Sequence, residues 1–174
     1  PESFETRKAL AETGDVHAAL RSFPRAFTFE KAILNHLAAH PSDYVGALRQ
    51  LPQNLLMMFV HAYQSLLYNR VLSERMRRGL PIYEPVVGDL VLPADRRGLP
   101  DRERTVEVTS DNLDRVTARC HEGKAWVSGV LFGYEPRYAD GEMGAIERAV
   151  VAAEGVRAED FIVPDIPRIS SRGT

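Results

Sequence analysis

From Asn54 to Asn69 the chain runs for sixteen residues without a single Asp, Glu, Lys or Arg, and it does so inside what the spacing predicts is its longest helix. The helix is bounded by Pro52 and by the stop signals Gly79 and Pro81, so it extends from about Gln53 to Arg78. At about 100° per residue, Leu55, Leu56, Phe59, Val60, Ala62, Tyr63, Leu66 and Leu67 form one broad apolar arc. The other face carries His61, Gln64, Ser65 and Tyr68, then Leu72 and Arg75, and from His61 to Arg75 it spans roughly 21 Å. A solvated face normally carries Lys and Glu, whose long side chains keep their water. Short, directional hydrogen-bonding groups suit fixed partners instead, either a buried polar network or the wall of a ligand cleft.

Around this helix the chain divides by pattern. Residues 1–80 read as helical: Phe4 to Thr13, Val16 to Arg21 capped by Asp15, a helix N-capped by Thr28 and ended by Pro41, and a short one opened by Ser42-Asp43. Residues 81–163 alternate, with strands expected at Val86 to Leu92, Thr105 to Thr109 and Trp126 to Phe132. Between them lie a helix capped by Asp111 and running to His121, and another from Gly141 to Gly155 carrying Met143, Ile146, Val150 and Val151 on its apolar side. Residues 164–174, punctuated by Pro164 and Pro167, read as extended. The expected fold class is α+β: a helical N-terminal half packed with a small antiparallel sheet and further helices, in a single domain over 1–174.

Composition narrows the function classes. With 174 residues, 44% hydrophobic and 26% charged, the chain can build one ordinary core. Its longest apolar run, Leu55 to Val60, is far short of the roughly 18 residues of a membrane span. It opens with acids and bases mixed rather than with a secretory signal, and its one cysteine, Cys120, has no intrachain partner, so a cytoplasmic location is expected. One Cys and five scattered His offer no zinc spacing, and neither metal nor cofactor is expected. The absent initiator Met and the abrupt end at Thr174 lead us to expect a fragment of something longer.

Net charge is −2, but residues 1–80 hold ten basic against seven acidic residues and 81–174 hold twelve against seventeen. Nineteen of the 22 basic residues are Arg, clustered at Arg75, Arg77 and Arg78, at Arg96 and Arg97, and at Arg102 and Arg104. Arg forks suit phosphate, which makes Arg75, Arg77, Arg78, Arg96 and Arg97 RNA-binding candidates if the positive field is concentrated locally. Interspersed acids fit a solvated surface equally well. Trp126 and Tyr134 could stack on bases or sit in the core.

The run Phe59-Val60-His61-Ala62-Tyr63-Gln64-Ser65-Leu66-Leu67-Tyr68-Asn69, followed by Leu72-Ser73-Glu74-Arg75, resembles the signature of the TruD family of tRNA pseudouridine synthases in its archaeal form. Leu51 to Leu55, the pair Gly88-Asp89, Gly141 to Glu147 and the closing Ser170 to Thr174 are also similar to that family, in the expected order. Bacterial members tend to carry Arg at the position of Gln64.

The resemblance implies a cofactor-free isomerisation of uridine in tRNA by an Asp nucleophile in a Gly-x-Lys-Asp-like motif upstream of the matched residues. No such motif occurs here, since Lys8, Lys31 and Lys124 are each followed by Ala. The resemblance therefore implies the family's insertion domain, which packs on the catalytic domain of the same polypeptide and helps form the tRNA cleft. It makes His61, Gln64, Ser65, Tyr68, Asn69, Arg75, Gly88 and Asp89 cleft candidates. Asp89, the best local carboxylate, more simply reads as a satisfied turn residue, and Glu147 as an ion-pair partner. The competing reading is a non-catalytic RNA- or protein-binding module; a closed barrel would need about five strands, and three are expected.

Overall fold

A computed structural model describes residues 2–173; Pro1 and Thr174, the last residue of the closing run, lie outside the described residues. The element order is α1 (Glu2–Thr13), α2 (Val16–Ser22), α3 (Thr28–Ala39), α4 (Tyr44–Leu48), α5 (Gln53–Arg77), β1 (Leu90–Pro93), β2 (Val106–Glu107), α6 (Leu113–His121), β3 (Ala125–Val127) and α7 (Gly141–Glu154). Single 3-10 turns follow at Ala158–Phe161 and Pro167–Ile169. The α+β class expected from the sequence is what the structure has.

Two compact units are present, and they divide inside α5: the residues up to Val60 with Val163–Ile169, and His61–Ile162 with the residues from Ser170. In the first unit, Ala19, Phe23 and Leu34 form a small core among α1, α2 and α3, and Leu51, Leu56, Ile166 and Ile169 form another. The Arg7 guanidinium lies over the rings of Phe23 and Phe27 and pairs with Glu30 at 2.6 Å. Asp15 caps α2 through Ala18 N–H as the sequence indicates, and Asp43 caps α4 through Gly46 N–H. Thr28 is not the cap of α3. Thr28 has already turned helical, and Phe27, which occupies the cap position, has no polar side-chain atom with which to cap. The residues from Val163 are not extended throughout: Pro167–Ile169 close a 3-10 turn that buries Ile166 and Ile169.

The second unit holds a three-stranded antiparallel sheet in the order β2-β1-β3, with Val91 opposite both Val106 and Val127. One face packs on α6, where Leu113, Val116 and Cys120, at helical spacing, meet Val91, Val108 and Ala125. The main core joins Leu67 and Val71 of α5 to Val130, Phe132, Met143, Ile146 and Phe161.

The strands are shorter than the apolar runs suggest. β1 starts at Leu90 rather than Val86 because residues 86–89 form a turn: Asp89 N–H donates to Val86 O, and Gly88 has φ +97°. β3 ends at Val127, since Ser128 N–H and Oγ–H both donate to Leu90 O and the chain then leaves the sheet to bury Val130 and Phe132. Asn112, not Asp111, holds the start of α6, its side chain accepting from Thr109 N–H and donating to Glu107 O.

Candidate functional site

The second half of α5 sorts its uncharged run radially, and the sorting does not follow polarity. Gln64, Leu67, Val71 and Arg75, spaced three, four and four apart, form the inward stripe, with Gln64 only 1% and Arg75 only 3% exposed. His61, Ser65 and Asn69 point to solvent, and Tyr68 is partly exposed. The apolar arc drawn from the sequence is also narrower than expected, because Phe59, Ala62 and Leu66 are exposed. An inward stripe that includes Gln64 and Arg75 leaves part of that arc facing out. The structure thus divides the predicted polar face instead of gathering it on one wall.

Gln64 works as a clasp. Its Nε2 donates to the carbonyl of Phe132 and, at 2.7 Å, to Ser171 Oγ. The same two segments are paired by backbone: Tyr134 N–H donates to Ser171 O and Glu135 N–H to Arg172 O. Gly133 and Gly173 permit the approach, since a Cβ on Gly133 would lie 2.1 Å from Gly173 N. Gln64 Oε1, also buried, has no hydrogen-bond partner among the described residues. Tyr68 lies one turn on, its ring against the backbone of Gly129, where a Cβ would fall 2.7 Å from Cε2.

Arg75 and Asp89 form a second lock. The guanidinium spans the carboxylate with two bonds of 2.7 and 2.8 Å, and its remaining reach is taken by Pro81 O and Glu84 O. Asp89 is 0% exposed and also accepts from Val86 N–H. This is a planar, desolvated pair tying the end of α5 to the turn before β1. Asp89 has the satisfied turn role that its sequence context suggested. Gly88 beside it donates to Val108 O and accepts from Asp140 N–H, so the turn also carries the start of α7.

A cavity of about 660 to 680 Å³ opens on each of two sides of this unit. The larger is lined by Ser128, Gly129, Leu131, Arg137, Arg172 and the floor residue Glu147. Glu147 is 2% exposed and is not the ion-pair partner expected from the sequence: it accepts from the backbone N–H groups of Ala139 and Val130. Burial pushes its carboxyl above the ordinary value of 4.5, with those amide bonds opposing the rise. Two backbone amides satisfy the acid without supplying a counter-charge. Arg172 at the rim pairs with Glu135 at 2.7 Å, while Arg137 has no acidic partner among the described residues.

The remaining candidates lie apart from this cavity. Arg77 and Arg78 both engage Glu74 at the exposed end of α5, and the bond from Arg78 holds the Glu74 carboxyl below its usual range. Arg96 and Arg97 sit on the β1–β2 loop, Arg97 bonded to Asp95. Trp126 is half-buried on β3 opposite Leu92, and Tyr134 packs against the main core. Among the described residues no group of three His, Cys, Asp or Glu side chains could hold a metal, and no helix is long and apolar enough to cross a membrane. Sequence reasoning did not single out Gly129, Arg137 or the tight crossing of Gly133 and Gly173. They become visible only when residues 128–137 meet Tyr68 of α5 and the run after Ser170.

Residues 1–174 match the family described as tRNA pseudouridine synthase D (TruD). "Probable tRNA pseudouridine synthase D" of Methanococcoides burtonii is 40% identical over 169 residues, covering 97% of this chain and 38% of that protein. The protein of the same name in Methanopyrus kandleri is 42% identical over 174 residues, covering 99% of this chain and 36% of its own length. The crystal structure of the TruD protein of Methanosarcina mazei superimposes with a TM-score of 0.95 at 39% identity, over 99% of this chain and 40% of that one. The chain thus spans about two-fifths of the length of the proteins it matches.

Proposed function

The chain belongs to the TruD family, and from that premise we propose that it is the insertion domain of a tRNA pseudouridine synthase. In this reading the domain helps form the tRNA cleft, acts in the cytoplasm and packs on a catalytic domain of the same polypeptide, which supplies the nucleophilic Asp. Organisation of 1–174 as one such domain is part of the proposal.

The observation that carries it is the fate of the two buried carboxylates. Attack on a nucleoside needs a carboxylate with an open face. Asp89 is closed off by Arg75 and Val86 N–H, and Glu147 by the amides of Ala139 and Val130. Asp89 is wholly enclosed and Glu147 only 2% exposed, each already holding its own donors. The side chains with open faces are of the recognising kind: His61, Ser65 and Asn69 on α5, and Arg77, Arg78, Arg96 and Arg97 at its end and on the β1–β2 loop. In this assignment Gln64 and Arg75 position the wall, Gly88 and Asp89 set its backbone, and Tyr68 and the exposed groups meet the RNA or the catalytic domain.

Isomerisation breaks the bond from uracil N1 to ribose C1′, forms one from C5 to C1′, and releases the C5 hydrogen. Tritium release from tRNA labelled at uridine C5 therefore reads the reaction directly. Release by the intact gene product but not by this 174-residue chain is the expected outcome. Release by the chain alone would mean that one of its own carboxylates is the nucleophile, and the insertion-domain reading would be lost.

A further inference from the structure

The second cavity, of about 660 Å³, lies between the β1–β2 loop and α6, within the range of small-molecule and nucleotide pockets. Its walls gather Arg96, Arg104, Arg115, Arg119 and Lys124 from three separate stretches of chain, with Asp95 as the acid among its lining residues. All five cations are exposed. None of the four arginines has an acidic partner within ion-pair distance among the described residues. Lys124 pairs with Glu122 at 2.8 Å, and Glu122 also feels the charge of Arg119.

Asp95 offsets only one of the five lining charges, and the groove stays net positive. Asp95 Oδ1 accepts from the backbone N–H groups of Arg97 and Leu99, and these loop bonds, led by Leu99, keep its carboxyl below the usual value. The acid is spent on shaping the loop that presents Arg96.

Arg115 and Arg119 stand one turn apart on α6, beside the buried Val116. Like charges at this spacing destabilise a helix unless something answers them. A half-chain with an excess of acidic residues therefore concentrates positive charge in one concave place.

We propose that this groove binds the phosphodiester backbone of RNA, as a contact surface separate from the α5 face. The inference rests on the function proposed above, because tRNA is the polyanion that such a protein meets. Guanidinium forks match phosphate oxygens two at a time, and apolar walls at Val91, Val106 and Val116 lower the competition from water. Recognition by charge and backbone requires no particular base at this surface.

The test uses the full 174-residue chain and an unmodified tRNA transcript, with affinity measured across a salt series. Arg115→Ala/Arg119→Ala is expected to flatten the slope of log K against log salt by between about one and two units. Arg96→Ala/Arg104→Ala, from different elements, should do the same. Arg21→Ala/Arg25→Ala, which removes equal charge from exposed positions in the other unit, should leave the slope unchanged. Thermal melts of all three should match the parent.

A slope equal to that of the unsubstituted chain in both groove variants overturns the proposal. So does loss of binding to a polyglutamate probe with tRNA binding intact, which would reassign the groove to an acidic protein partner. Tritium release reads a different event, so the groove and the proposed function can fail independently.

Discussion

Arg75 and Asp89 illustrate how burial changes the meaning of a charged residue. On paper Arg75 belongs with Arg77 and Arg78; in the fold it is 3% exposed and bonded to a carboxylate that is fully enclosed. Removing one member of such a pair strands the other charge. Asp89→Ala should therefore destabilise the protein by about 3–5 kcal/mol in urea unfolding, whereas Arg75→Met/Asp89→Leu, which removes both charges, should cost less than either single change. Equal losses in the double and single variants would mean that packing, not charge, is what the pair supplies. Glu147 gives the opposite case, a buried acid bonded to backbone amides, with Arg148 acting only through its charge and not as an ion-pair partner. Because burial raises its folded pKa above the ordinary 4.5, the folded state binds the proton more tightly than the unfolded state does. Its contribution to stability is then fully present below the unfolded value and declines as pH rises through the window just above it. Unfolding free energy compared between the parent and Glu147→Gln from pH 4 to 8 should show a difference that shrinks toward acid and grows toward neutral pH, with Gln the more stable at the upper end. A pH-independent difference would remove titration as the cause.

Elements in this chain are ended by tertiary contacts as much as by local punctuation. Gly79 and Gly155 stop α5 and α7 where the sequence indicates, because a left-handed glycine ends a helix whatever surrounds it. The strands behave differently. β1 loses its first residues to the turn at Gly88, whose hypothetical Cβ would lie 2.4 Å from Asp140 O, so β1 and α7 start from one shared crossing. Gly98, at φ +77°, has open space around its Cβ position and separates backbone strain from crowding. Gly98→Ala should lower stability by about 1–2 kcal/mol through strain alone, and Gly88→Ala by distinctly more, seen as a larger drop in melting temperature. A Gly88→Ala loss no greater than that of Gly98→Ala would show that the crossing yields easily.

At the scale of the whole molecule, the helical half, the order of the elements, the antiparallel sheet and the family resemblance were all legible in the chain. Each depends on residues close together in sequence: periodicity along α5, caps at Asp15 and Asp43, breaks at Gly and Pro, and the run Phe59 to Asn69. What was not legible is where residues far apart meet. Gln64 is inward and His61 outward on the same helix because Phe132 and Ser171, 68 and 107 positions away, lie against one side of it. The arginines of the second cavity are scattered from Arg96 to Arg119 and become one positive surface only after β1, β2 and α6 have packed. Activity in the intact gene product, read by tritium release, also belongs to this scale, since it is proposed to require a carboxylate that this chain does not supply. The sequence by itself determined which segments are helix, which approach a sheet and which family they resemble, because hydrogen bonding and hydrophobic period act over a few residues. Only the tertiary structure decided which polar groups are locks and which remain open to a partner, because desolvation is set by neighbours that the linear order does not reveal.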